Sequence, residues 1–318
     1  MRLLFDPIFL QHDTGAHPEN RARLEVFDNV TAVQAPDASD LLQLVHTPDH
    51  IERVRNAWPK IRRLDSDTVI SEHSYQVACQ SVGLTVRASE SGDFALVRPP
   101  GHHAYADHGS GFCLFNNIAI ACQRLVQDGK RVVIFDFDGH HGDGTAAIFY
   151  NSDRVLYWST HQYPAFPGYG SVDEIGRGQG EGFTVNVPLP PGSGDDLLMD
   201  SFRRFLPIAK QFDPDIVAIS AGFDGHTMDP LLQLNFTTSI FHTIGTELRN
   251  TFSNIFAVLE GGYNPPVLKS CVENFVAGIN GREQSAAETP GTSSEMVKNK
   301  YERRVEGLIE NLKPYWSF

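Results

Sequence analysis

"RVVIFDFDGHHGDGT" runs from Arg131 to Thr145. It opens as an apolar strand and closes with Asp136, Asp138, His140, His141 and Asp143 set among three glycines. Carboxylates at the end of a buried strand repel one another and lose hydration, so a positive charge should hold them. In an extended chain alternate side chains share a face, which puts Asp136, Asp138 and His140 on one side. A carboxylate and an imidazole two residues apart make a partial site for zinc or a similar divalent ion. A hydrolytic metal needs about three protein ligands and an open position. The third ligand must come from another strand end, and "SAGFDGH" (220–226) offers Asp224 or His226. The bland alternative is a solvated acidic loop with turn glycines. The buried lead-in and the histidines fit it poorly.

The same pattern recurs outward from this stretch. "FALV" (94–97) leads into "RPPGHH", "RVLYWS" (154–159) into "THQYPAFPGYG", "DIVAIS" (215–220) into "AGFDGH", and "IFAVLE" (255–260) into "GGYN". Helical stretches lie between several of them: "SYQVACQSVGLTVRAS", "FNNIAIACQRLVQDG" and "DDLLMDSFRRFLPIAKQF". Alternation of this kind indicates an α/β fold, an open and mostly parallel sheet with helices on both faces. Nearly every His and Asp cluster follows a strand's C-terminal end, the edge where such sheets bind ligands. One domain is expected over 1–318. "REQSAAETPGTSS" (282–294) reads as a polar loop, and residues 295–313 as an amphipathic helix docked on the same domain.

Composition narrows the class. Hydrophobic residues make up 41% and charged residues 20%, as expected of a globular protein. A net charge of -13 argues against nucleic acid and anionic membrane as partners. Cys79, Cys113, Cys122 and Cys271 form no CxxC pair or disulfide framework, which fits reduced thiols and a cytoplasmic location. "MRLLFDPIFL" is broken by Asp6 and Pro7 and is no signal peptide. A homo-oligomer is left open.

"RPPGHHA" places His102 and His103 at another strand end, as ligands or as acid and base. "LEGGYN" places Tyr263 on a glycine-rich turn, where a phenol can donate to a developing oxyanion. Each is weak alone. On one edge they compose a hydrolase site.

The motifs "HDTGAHPENRARL", "LVRPPGHHA", "SGFCLFNN", "DFDGHHGDGT", "FPGYG", "SAGFDGHTMDPL" and "LEGGYN" follow one another between residues 12 and 264. In this order they resemble the histone deacetylase and acetylpolyamine amidohydrolase superfamily, most of all its class II-type branch. The resemblance implies the arginase-deacetylase fold and amide hydrolysis at one zinc ion per chain. By motif position it implies Asp138, His140 and Asp224 as zinc ligands, with His226 only a neighbour and His141 structural. It further implies a structural potassium ion at Asp136, Asp138, His140, Ser159 and Thr160. Zinc would polarise the acyl carbonyl and acidify water. His103 would be general base and then general acid, backed by Asp143, where many class II relatives carry Asn. His102, paired with Asp136, would orient and contribute positive charge, and Tyr263 would stabilise the oxyanion. Gly111, Phe112 and Phe166 match the walls of a tunnel for an acyl-lysine stem. Arg23 matches an arginine lining an acetate-accepting cavity; its loop has Asn20-Arg21 where many relatives have Arg-Pro. Asp67 is either a rim acid that holds the substrate backbone or an N-cap of the following helix.

One polyamine-selective branch carries a glutamate seven residues after the last zinc ligand. Here that position is Leu231, as in lysine-type enzymes. An acylated lysine or similar primary acylamide is therefore the expected substrate, with acetylpolyamine as the alternative. Two other classes remain to be weighed. A non-catalytic acyl-lysine module would be expected to lack Tyr263, a ligand or the tandem histidines. A manganese ureohydrolase would need two metals and more aspartate ligands.

Overall fold

The structure is a computed structural model that describes all 318 residues. Seven strands form one sheet: β1 (Leu3–Phe5), β2 (Phe94–Leu96), β3 (Val132–Asp136), β4 (Val155–Gln162), β5 (Thr184–Leu189), β6 (Ile216–Ala221) and β7 (Ile255–Leu259). Their order is β1-β2-β7-β6-β3-β4-β5, and every pairing is parallel. Every residue of β2, β3, β4 and β5 is buried. Successive side chains point to opposite faces, so helices must cover both. The helices are α1 (Ala22–Glu25), α2 (Pro48–Arg55), α3 (Ser74–Ser91), α4 (Asn117–Gln127), α5 (Asp143–Phe149), α6 (Asp195–Phe212), α7 (Thr238–Thr251), α8 (Pro265–Ile279) and α9 (Glu295–Leu312).

Local signals explain the boundaries. Asn116 caps α4 by accepting from the backbone N of Ala119. α3 ends at Gly92, whose φ of 69° suits glycine. Two strands escape the sequence reading. β1 lies inside "MRLLFDPIFL", too short to show alternation, and β5 carries Pro188, tolerated because β5 is an edge strand. α9 packs against β5, burying Val305, Leu308 and Leu312, and Tyr301 donates to Asp200 at 2.8 Å.

Asp136, Asp138 and His140 do not share a strand face as the extended reading has it. β3 stops at Asp136, and the glycine-rich turn that follows carries Asp138 and His140. The chain builds β4 and β5 on one side of β3, and β6 and β7 on the other. That reversal leaves a crevice beyond the carboxyl ends of β3 and β6, the usual ligand position in open α/β sheets.

Candidate active site

Asp138 and His140 follow β3, and Asp224 follows β6. The fully buried carboxylates of Asp138 and Asp224 and the largely buried His140 bring one ligand atom each within 4.8 Å of one another. His140 Nδ1 lies 2.7 Å from Asp224 Oδ2 and 3.3 Å from Asp138 Oδ1. Backbone N–H groups hold the carboxylates in place: His140 N donates to Asp138 Oδ1 at 2.8 Å, Gly261 N to Asp138 Oδ2 at 2.7 Å, and Gly139 N to Asp224 Oδ1 at 2.7 Å. Burial opposes a charge on His140, but Asp224 and Asp138 outweigh it and raise its pKa to about 10. The pocket therefore favours a cation. A divalent ion would take the place of that proton. His226 points elsewhere, its Nε2 donating to Glu288 at 3.0 Å.

The tandem histidines stand beside this cluster with opposite protonation. His102 Nδ1 donates to Asp136 Oδ2 at 3.1 Å, and the same oxygen accepts from Tyr157 at 3.0 Å. Burial lowers the His102 pKa, but Asp138, Asp136 and Glu260 together raise it well above the ordinary value. His103 Nδ1 donates to Asp143 Oδ1 at 2.7 Å. Burial, and then the charge on His102, lower the His103 pKa to about 4, leaving a neutral imidazole with Nε2 free to accept. His141 donates from Nε2 to Asn186 at 3.0 Å and stands against His161, away from this dyad.

Above the floor lies a cavity of about 230 Å³ lined by Asp67, His103, Gly111, Phe112, His140, Phe166, Leu231 and Tyr263. Gly111 is required there: its φ is 51°, and a Cβ would stand 2.6 Å from His103 Cδ2 and 3.0 Å from Phe166. Phe112 continues in the same region, with a φ of 71° that non-glycine residues seldom adopt. Its ring meets Tyr263 edge-on at 5.6 Å, and Phe166 meets His103 at 5.1 Å. Burial raises the Tyr263 pKa well above its ordinary value, so the phenol remains a donor. Asp67 lies on this cavity and not at a helix end, since α3 begins at Ser74. Arg23 is fully buried, with Nε donating to Gly262 O at 2.6 Å, Nη2 to Glu260 O at 2.5 Å and Nη1 to Glu19 at 3.1 Å. It pins the turn that presents Tyr263, and its guanidinium lies 4.9 Å from that ring. The Asn20-Arg21 departure is accommodated by Asn20, which accepts from Ala22 N at 2.9 Å and donates to His17 O at 2.6 Å.

Residues 17–279 match the histone deacetylase domain family. The chain belongs to the histone deacetylase family. Its fold is the α/β fold of that family, and it is a hydrolytic enzyme, a deacylase. A probable deacetylase of Archaeoglobus fulgidus is 36% identical, over 91% of this chain and 88% of that one. A histone deacetylase-like amidohydrolase of Pseudomonas aeruginosa is 34% identical, over 87% and 85%. Among solved structures, the crystal structure of the HDA15 HD domain superposes with a TM-score of 0.88 at 32% identity, covering 99% of this chain and 94% of that one.

Several supporting residues of this candidate site escape the sequence reading. Glu260 accepts from the backbone N–H groups of Gly101 at 2.7 Å and His102 at 3.1 Å, tying the end of β7 to the tandem-histidine loop. Burial raises its pKa to about 7, against the opposing charge of His102. Asp229 accepts from Tyr263 N at 2.6 Å and Leu231 N at 3.1 Å, joining the floor to the rim. Both lie inside quoted motifs, "LEGGYN" and "SAGFDGHTMDPL". Tyr157 sits in the quoted run "RVLYWS", but nothing in the sequence signals its bond to Asp136. No helix is long and apolar enough to cross a membrane.

Proposed function

We propose that the chain is a zinc-dependent deacylase that hydrolyses the amide of an N-ε-acyl-lysine or a similar acylated primary amine. The observation that carries this is the convergence of the Asp138, His140 and Asp224 ligand atoms at the foot of a narrow, aromatic-walled cavity that also holds His103 and Tyr263. Two carboxylates and one imidazole suit zinc, with the cavity supplying the open side. The ion would polarise the acyl carbonyl and acidify the attacking water.

Every other step belongs to side chains. His103 takes the proton of the attacking water at Nε2 and returns it to the leaving nitrogen as the C–N bond breaks. Asp143 holds the tautomer by accepting from Nδ1. His102 contributes positive charge beside the reacting centre. Tyr263 donates to the oxyanion as it forms, from a turn pinned by Arg23. Phe112 and Phe166 flank an aliphatic stem and exclude water, and Asp67 and Leu231 form the rim. Potassium belongs to the same proposal. Asp136 and Ser159 face each other in register on β3 and β4, and Thr160 has a buried hydroxyl without a partner, as an oxygen-coordinated cation would use. The acetate cavity at Arg23 and a cytoplasmic location complete the proposal, the latter supported by four free, buried cysteines.

The test is a panel of acyl-lysine peptides and acetylated polyamines assayed with zinc-loaded protein. The expected outcome is turnover of the peptides, with kcat/KM above that for acetylputrescine. Acetylpolyamine hydrolysis is the second reading, favoured by the carboxylate of Asp67 at the cavity. A tenfold preference for polyamines would establish it instead.

A further inference from the structure

Asp143 has a second partner. Its Oδ1 accepts from His103 Nδ1 at 2.7 Å, while its Oδ2 accepts from the Tyr105 hydroxyl at 2.8 Å. Tyr105 is two residues beyond His103 and approaches the carboxylate from the side away from the substrate cavity. It lines a separate cavity of about 310 Å³, shared with His141, Asp143, Tyr169, Glu174 and Asn186. Without the phenol, this oxygen would face that space and be free to rotate toward water.

The residues around Tyr105 hold the hydroxyl in place. Tyr105 N donates to His108 O at 2.9 Å, closing a turn over residues 105–108. The Tyr105 ring stacks on the His108 ring, 4.5 Å between centroids and 12° from parallel. Behind the turn, His46 Nε2 accepts from Asn116 N at 2.9 Å, so its Nδ1 carries the proton and donates to Tyr105 O at 3.0 Å. Three independent contacts thus fix the backbone and ring of a side chain whose polar atom meets only Asp143. Burial and the neighbouring Asp143 charge raise the Tyr105 pKa, so the phenol is a donor throughout the working pH range.

We propose that Tyr105 is a positioning residue for the general base, clamping Asp143 from behind so that its other oxygen holds His103 in one tautomer and one orientation. The proposal rests on the reading of His103 as that base. A carboxylate held at both oxygens has one orientation, whereas one held at a single oxygen swings, and the imidazole swings with it. Small misplacements of a proton-transfer group cost rate and leave ground-state binding untouched.

The experiment is steady-state kinetics on the zinc-loaded full chain with a fluorogenic acetyl-lysine substrate. Tyr105→Phe removes one oxygen and keeps the stacking ring. It is expected to lower kcat about tenfold with KM changed less than about twofold, the scale of a lost hydrogen bond to a charged group. In an Asp143→Ala background the same change should alter residual kcat by less than about twofold, because the group through which Tyr105 acts is gone. Equal losses in both backgrounds, or a fall in melting temperature with kcat unchanged, would overturn the proposal. A second measurement is independent of turnover. In protein labelled with 15N-histidine, the His103 Nδ1 proton should shift upfield and exchange faster with solvent in Tyr105→Phe than in wild type. An unchanged resonance would also overturn it. His103→Ala separates the two levels. Wild-type kcat in that variant would remove the general-base reading itself, whereas an inactive His103→Ala beside a fully active Tyr105→Phe would remove only the clamp.

Discussion

The floor and the rim of the cavity are built on different principles. On the floor, Asp136, Asp138 and Asp224 are almost wholly buried, and Asp138 and Asp224 are gripped by backbone N–H groups at strand ends. At the rim, Asp67 lies in a turn held by Asp65, Leu231 is half-buried, and Phe166 is 48% exposed. Ligand geometry is set where seven parallel strands leave no freedom. On the proposed function, substrate contacts sit on loops that can vary without disturbing the sheet. On that proposal chemistry and selectivity are separable, and the two regions should respond differently to substitution.

The largest expected effect is on the floor. Asp138→Ala should remove bound zinc and activity together, measured by metal analysis and turnover. Stoichiometric zinc in an Asp138→Ala, Asp224→Ala double variant would break the division between floor and rim at its base. Next comes His103→Ala, expected to lower kcat by about 10²–10⁴ with little change in KM, since it removes proton transfer and not a binding contact. If His102→Ala proved far more damaging, the two roles would be exchanged.

Acid should also strike the floor's supports first. Burial lowers the pKa of His12 to about 4, with Glu19 opposing, and lowers that of His46 to about 3, with His50 adding to the effect. His12 stands 3.7 Å from Glu19, which anchors Arg23, and His46 holds the chain at Tyr105 and Asn116. A histidine whose folded pKa is depressed binds fewer protons folded than unfolded. Its stabilisation is complete above about pH 6.5 and is lost as pH falls toward the folded value. Each such group contributes about 2 kcal/mol less at pH 5 than at pH 7. Thermal melting across that interval should show a falling midpoint, and a flat profile would show these sites to be hydrated. The smallest effect belongs to the rim. Leu231→Glu should shift kcat/KM toward acetylpolyamines over acetyl-lysine peptides by about tenfold, the scale of one charge-assisted hydrogen bond at a partly desolvated site. It should leave zinc content unchanged. Loss of zinc in that variant would show that floor and rim are coupled, most directly through Asp229, which binds the backbone of both Leu231 and Tyr263.

By itself the sequence determined what is local or compositional. The five apolar runs that end in chemistry-bearing clusters are strands β2, β3, β4, β6 and β7, because β-branched and aromatic runs bounded by glycine leave little choice. The long stretches at 74–89 and 195–212 are helices because their apolar residues recur at the helical period and neither is broken by glycine-rich turns. From one strand end alone, Asp224 and His226 are equal candidates. The motif resemblance favours Asp224; tertiary structure turns Asp224 toward His140 and gives His226 to Glu288. It also decided that a turn, and not a pleat, gathers Asp138 and His140, and that Asp67 belongs to the cavity. Tyr105, Tyr157, Glu260 and Asp229 owe their places to contacts across 21 to 159 residues of chain or, for Tyr105, to a turn that delivers it to a carboxylate 38 residues away. Periodicity registers which face of an element is buried. It carries no record of which buried polar groups meet, since that depends on the order in which the strands are laid side by side.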